Sequence, residues 1–341
     1  MGEYVGLDVS MEETSVCVMA ADGEIIWEGK VATEPGALVR ELHRRAPEVE
    51  KVGLETGPLS TWLWHALREA DVPVVCLDAR HAQAALSMRI NKTDRNDAAG
   101  LAQLVRMGWY REVKVKRLAA HVDGALLASR ALLVRQRCEL ENEIRGLLKN
   151  FGLKVKATKG LAFGQSVADL VAKRPVIRQV VTALLVAWSS LRLQIAVLSR
   201  QVEEQATSDP VCQRLMTMDG VGKLTALAFR AAIDEPCRFR HSASVGAYLG
   251  PTPRRYASGE IDRMGRISRC GDALVRSYLY EAANVMLTRS RRSSPLRSWG
   301  MKLAKRAGFK KARVALARKM AVILHRMWRD GTDFGVPNAK A

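Results

Sequence analysis

The chain has 341 residues, with 54 Lys/Arg against 35 Asp/Glu and a formal net charge of +19. That length holds two domains with sizeable cores. The six cysteines (Cys17, Cys76, Cys138, Cys212, Cys237, Cys270) form no CxxC and the six histidines keep no ligand spacing, which argues against a zinc cluster or a disulfide scaffold and for reduced thiols in a cytoplasmic protein; the basic charge adds the expectation of nucleoid association. No apolar run of roughly 18–20 residues is expected to span a membrane, and Met1-Gly2-Glu3-Tyr4 does not open a signal peptide. Charge is unevenly placed: residues 1–100 carry ten Lys/Arg and seventeen Asp/Glu, a net of −7, so residues 101–341 carry +26. An acidic head suits a cation and a basic body suits a polyanion.

In chain order, residues 4–9 read as a buried strand carrying Asp8, 14–19 as a second strand, and 24–31 as a third, returned by the Asp22-Gly23 hairpin signal. Residues 35–46 are helical, with Leu38 and Leu42 on one face. Residues 51–55 form a strand ending on Glu55. Thr56-Gly57-Pro58 then leads into a helix with Trp62, Leu63 and Leu67 apolar. A strand at 73–77 and helices from about 79 and 94 complete the order β-β-β-α-β-α-β-α. Three antiparallel strands followed by crossover strands make an α/β, ribonuclease-H-like arrangement.

The stretch from Asn91 to Ala98 is the centre of this head. Thr93 is a helix N-cap, and Asp94 and Asp97 share one helix face. Such a pair is the ordinary composition of a helix start. Together with Asp8 inside an apolar strand and Glu55 at a strand end, it becomes a candidate site for Mg²⁺, with Mn²⁺ as a substitute.

Residues 118–151 are expected to form a long helix with Leu133, Leu140, Ile144, Leu147 and Phe151 on one face, and 153–175 an interruption. In the next helix, 176–206, Leu184, Trp188, Leu191, Ile195, Leu198 and Val202 alternate by four and three like a coiled-coil seam. The two helices make an antiparallel pair, a dimerisation stalk, or plain core. Residues 212–233, with Gly220-Val221-Gly222-Lys223, read as a helix-hairpin-helix whose glycines let a phosphate approach, or as a simple turn. Residues 246–278 are a basic, glycine-rich loop with Arg254, Arg255, Ser258-Gly259, Arg266 and Arg269; the serine could be a nucleophile, a phosphate ligand or a turn residue. Residues 289–329 hold fourteen Lys/Arg and no acid, with apolar positions at helical spacing, and suit a nucleic-acid backbone, with a membrane surface as the runner-up. The last dozen residues read as frayed.

Tyr4-Val-Gly-Leu-Asp8, Leu54-Glu-Thr-Gly57, Lys92-Thr-Asp-Arg-Asn-Asp-Ala98, Asp219-Gly-Val-Gly222 and the block Leu249 to Gly271 together resemble bacterial insertion-sequence transposases of the one-hundred-and-ten class, relatives of the Piv/MooV DNA invertases. The resemblance covers nearly the whole chain. It implies a RuvC-like domain (1–110) whose DEDD tetrad matches Asp8, Glu55, Asp94 and Asp97. The seam spacing marks 111–206 as a coiled-coil region, and the resemblance implies a C-terminal transposase domain (207–341), mostly α, whose nucleophile matches Ser258. It further implies donor and target DNA, a structured non-coding guide RNA (the bridge RNA), and a homo-oligomer in which acids and serine come from different subunits. Arg269-Cys270-Gly271 departs from the family's Lys-Arg-Gly, and the cysteine removes one charge. A Holliday-junction resolvase without serine chemistry and a non-catalytic nucleic-acid-binding protein are the alternatives.

Overall fold

The computed structural model describes residues 2–87, 91, 93–156 and 160–335. Lys92 of the acidic string, and the part of the frayed tail beyond residue 335, lie outside them. The chain divides into two compact units, Met1–Leu118 and Ala119–Ala341.

The first unit is built on one sheet. Strands β1 (Glu3–Val9), β2 (Glu13–Ala20) and β3 (Ile25–Ala32) form an antiparallel meander, and Gly23 at φ +101° makes the β2–β3 turn. Helix α1 (Pro35–Arg45) leads to β4 (Val49–Glu55), which runs parallel to β1. Helix α2 (Ser60–Glu69) leads to β5 (Val74–Leu77), parallel to β4; α3 (Ala79–Leu86) and α4 (Asp94–Met107) follow. The spatial order β3-β2-β1-β4-β5 is that of a ribonuclease-H-like fold. Side chains alternate across each strand. Val5, Leu7, Val16, Val18, Val52 and Leu54 pack on one face with Leu38 and Leu42 of α1 and Leu63 and Leu67 of α2. Trp62 is 43% exposed and takes no part in that face, because a helix of ten residues offers the sheet only one stripe. The opposite face is kept low by Gly6 and Gly53, and α4 lies directly on it.

The second unit begins with two long helices, α5 (Leu118–Lys149) and α7 (Pro175–Ser208). They run antiparallel: Arg130 donates to Ser199 at 2.8 Å, and Trp188 Nε1 donates to Glu141 at 2.9 Å. The expected seam is the inward side of α7, with Trp188 and Val202 buried and Leu184, Leu191, Ile195 and Leu198 half-buried. Phe151 lies past the end of α5 and is 49% exposed, so it is not on that helix's packed face. Residues 153–175 are not a bare interruption. Helix α6 (Leu161–Val171) closes the pair, burying Phe163, Val167 and Val171 against Ile144, Leu148, Val181 and Trp188. The expectation that no stretch is apolar enough to span a membrane is corrected at α7, which passes by length and composition although Arg178 and Arg192 interrupt its apolar run; a helix packed into a protein core meets the same test.

The rest of the unit is helical. Helices α8 (Pro210–Met216), α9 (Lys223–Ile233) and α10 (Ala243–Tyr248) precede an antiparallel hairpin, β6 (Pro253–Ser258) and β7 (Ile261–Ile267). Helices α11 (Ala273–Thr288), α12 (Pro295–Ala307) and α13 (Phe309–Asp330) follow. The apolar face of α13 (Leu316, Met320, Leu324, Met327) enters one core with Phe229, Leu279 and Met286, joined by Leu127 of α5 and Val202 of α7.

Candidate active site

Three of the four acids named from sequence line one cavity of ≈ 360 Å³ in the first unit: Asp8, Glu55 and Asp97. Parallel strands β1 and β4 pair Leu7 with Leu54, so Asp8 and Glu55 are the next residues on each, at neighbouring strand ends. Both follow a glycine by two positions, which sets them on the face that α4 covers. Thr93 caps α4 by accepting from Asn96 N at 3.2 Å, and the first turn delivers Asp97 to the cavity. Asp94 stands at the helix start, 62% exposed, 3.8 Å from Lys30 Nζ, and is not part of that lining.

Gln83, Ser87 and Asn91 add amide and hydroxyl oxygen to the wall. Cys76, on β5, has its pKa pushed up to about 12 by burial, then by the charges of Glu112 and Glu55, and does not line the cavity. The donors are therefore hard oxygens, which fit a divalent cation that keeps part of its water shell. Among the described residues no three His, Cys, Asp or Glu side chains are gathered closely enough to grip an ion by themselves.

In the second unit the basic loop is a two-stranded arm. Ser258 is the last residue of β6, paired with Ile261 and exposed, and Gly259 turns the chain at φ +55°. A two-residue hairpin turn wants glycine there. Arg255 is engaged with Asp262 through two bonds of 2.8 Å, so its charge is matched within the arm. Arg254 reaches Ser268 O at 3.4 Å, while Arg266 and Arg269 are exposed. The base of the arm is narrow: a Cβ on Gly250 would come within 2.3 Å of Cys270 O, and one on Gly271 within 2.1 Å of Tyr248 O. Arg276, which composition alone did not single out among so many arginines, donates to Leu249 O at 3.0 Å and Cys270 O at 2.8 Å. One guanidinium thus ties both ends of the serine arm to α11.

The Gly220–Lys223 turn joins α8 to α9. Gly220 sits at φ +85°, and a Cβ there would meet Ala282 O at 2.3 Å, so this glycine admits the close approach of α11. Gly222 precedes α9 with open space around it and no side-chain cap, and Lys223 lies 3.5 Å from Glu203.

A ribonuclease-H-like unit with carboxylates at its central strand ends, followed by a strongly basic helical unit, belongs to the class of enzymes that act on DNA. Residues 5–152 match the DEDD transposase profile of the IS110 type, and residues 212–298 match "Transposase IS116/IS110/IS902 family". The transposase for insertion sequence element IS1111A of Coxiella burnetii is 27% identical over 94% of this chain and 88% of its own length. A probable family 20 transposase of Pseudomonas aeruginosa is 31% identical over 69% of this chain and 71% of its own. The Thermus thermophilus RuvC structure overlaps 33% of this chain and 99% of its own at 18% identity and TM-score 0.26, too low to add to the strand order itself. The chain belongs to the IS116/IS110/IS902 family of insertion-sequence transposases.

Proposed function

We propose that this transposase is an RNA-guided DNA recombinase that cleaves and rejoins donor and target strands through a phosphoserine intermediate. Asp8, Glu55, Asp94 and Asp97 would hold Mg²⁺, which when bound activates an attacking oxygen and stabilises a leaving one. The observation that carries the reading is the convergence of Asp8, Glu55 and Asp97 on one cavity. Ser258, exposed beside a glycine turn, supplies the nucleophile. Its Oγ forms a bond to phosphorus as the bond to one sugar oxygen breaks, and that oxygen leaves with the serine's proton. The ester keeps the bond's energy, so a sugar hydroxyl of another strand reverses the step without ATP. Arg254, Arg266 and Arg269 would offset phosphate charge in the transition state; Arg255 would do so once released from Asp262. Gly222 and Lys223 at the open start of α9 suit a phosphate in helix-hairpin-helix fashion. The structured guide RNA and a homo-oligomer, dimer or tetramer, complete the proposal.

Ser258→Ala tests it. The variant should bind DNA yet form no covalent adduct and no recombinant. Cleavage retained at the wild-type rate would favour a resolvase-like nuclease that uses the acids alone.

A further inference from the structure

Between the serine arm and α13 lies a groove of ≈ 1070 Å³, of whose lining the proposed reaction uses Arg266 and Arg269 alone. That is at or beyond the top of the usual range for ligand pockets, about 300–1,000 Å³. Arg266, Arg269, Lys310, Lys311, Arg318 and Lys319 line it, and no Asp or Glu is among the described residues that do. Its apolar lining is Pro251 and Met264 on the arm side, Met264 67% exposed, with Trp299 on α12 and Val314 and Val322 on α13. Lys319 Nζ stands 4.3 Å from the Trp299 ring centre, so cation and aromatic surface adjoin.

We infer that this groove holds a short stretch of unpaired DNA strand, its phosphates on the cationic side chains and its bases on the apolar ones. Charge complementarity selects a polyanion, since six cations face the groove with no acid to balance them. The apolar lining then selects the unpaired form. A duplex turns phosphates outward and hides its base faces in the stack, so it gains nothing from Met264, Val314 or Trp299. An unpaired strand offers π-faces to such surfaces whatever its sequence. The occupant is DNA because the family acts on DNA, and strand exchange must free a strand from its complement. The inference rests on that action and not on the serine chemistry, and its test needs neither metal nor cleavage, so the two can fail separately.

The probe is a labelled oligo-dT strand of about twelve nucleotides, titrated by fluorescence anisotropy against full-length protein. An abasic strand of equal length, a duplex and an oligo-rU strand are the comparisons. Wild type should prefer oligo-dT to all three. Met264→Gln combined with Val314→Gln, both neutral, should weaken oligo-dT about tenfold and leave the abasic strand unchanged, which also shows the variant is folded. Lys311→Gln should weaken oligo-dT and abasic strands alike and reduce the log–log salt slope by about 0.7. In wild type, 5-iododeoxyuridine in the strand should photo-crosslink to segments carrying Met264 or Trp299. Equal loss of both strands in the double variant, tighter binding of duplex or oligo-rU, or crosslinks confined to other segments would overturn the assignment.

Discussion

Gly6 of β1 lies against Ala98 of α4 so closely that a Cβ on Gly6 would stand 2.1 Å from the Ala98 carbonyl oxygen and 2.4 Å from Ala102 N. The contact links the sheet to the acids: Asp8 lies two residues on along the strand, and Asp97 immediately precedes Ala98 on the helix. Gly6→Val should force α4 off the sheet at a cost of about 1–3 kcal/mol, as overpacking does. Strand cleavage should fall further than DNA binding, because Asp97 is displaced from Asp8 and Glu55. Urea unfolding beside a cleavage assay checks this; an unchanged unfolding midpoint would mean that the helix tolerates the methyls.

The head of the chain was readable because its signals are local and agree. Short apolar runs mark the strands, Asp22-Gly23 marks a hairpin, and Thr93 marks the start of α4, where it caps as expected. The convergence of Asp8, Glu55 and Asp97 follows from strand order plus one helix position, both of which pattern supplies. What pattern cannot supply is rotation of a side chain at a helix start, so nothing in the sequence says that Asp94 meets Lys30. In the body, Gly160 and Gly164 masked the period of α6. Yet Gly164 is there because a Cβ would meet the Trp188 ring at 2.8 Å. Gly220 is ambiguous in the sequence for the same reason: a glycine that admits a neighbouring helix is written like one that admits a phosphate. The strands flanking Ser258 were hidden by their glycines and arginines, and Arg276 carries no signal until the two ends of the arm are seen together.

Removing charge from the acids should separate chemistry from binding. Asp97→Asn and Asp94→Asn should each lower Mg²⁺-dependent cleavage by about 100-fold or more, with DNA and RNA binding nearly intact. If Asp94→Asn cleaved like wild type, Asp94 would belong to its contact with Lys30 alone, and the working set would be Asp8, Glu55 and Asp97.

Arg276 is a positioning residue for the serine arm. Hydrogen bonds from a charged donor are worth about 1.5–3 kcal/mol. Arg276→Met should therefore free the arm's base and cut the covalent adduct about tenfold or more. Limited proteolysis within residues 250–271 should accelerate while binding of duplex DNA holds. Arg276→Lys, which keeps the charge and loses the fork, should recover part of the adduct. Equal adduct yield in wild type and Arg276→Met would show that the glycine pair alone fixes the arm.

His325 gives the second unit an acid-side weakness. Its ring is buried, Nε2 donates to Pro236 O and Nδ1 shares a hydrogen bond with the Ser242 hydroxyl, both at 2.9 Å. Burial lowers its pKa first and Arg329 adds to this, against the opposing pull of Pro236 O and Asp330. The unfolded chain therefore takes up the proton at a higher pH than the folded one. Stability from this group is complete above the unfolded value, about 6.5, and is lost as pH falls below it toward the lowered folded value. The melting temperature should drop between pH 7.5 and 5.5, roughly spanning that range, and His325→Gln should flatten the drop. An identical pH slope in the variant would assign the effect elsewhere.

The boldest expectation is catalysis in trans. The acids belong to one compact unit and Ser258 to the other, with α5 and α7 in the chain between them. Val186, Leu193 and Val197 remain exposed on α7 beside the seam already used on α5, an apolar surplus suited to a second copy of the chain. If subunits pair so that one lends acids and the other serine, Ser258→Ala and Asp94→Asn proteins should each be inactive alone. A mixed dimer should regain about one working site. The covalent DNA adduct should then appear only on the chain that keeps Ser258, which is the chain carrying Asp94→Asn. Co-expression with different tags, followed by denaturing gels on labelled DNA, reads this directly. If wild type forms the adduct and no mixture does, serine and acids act within one chain, and the exposed face of α7 has another use.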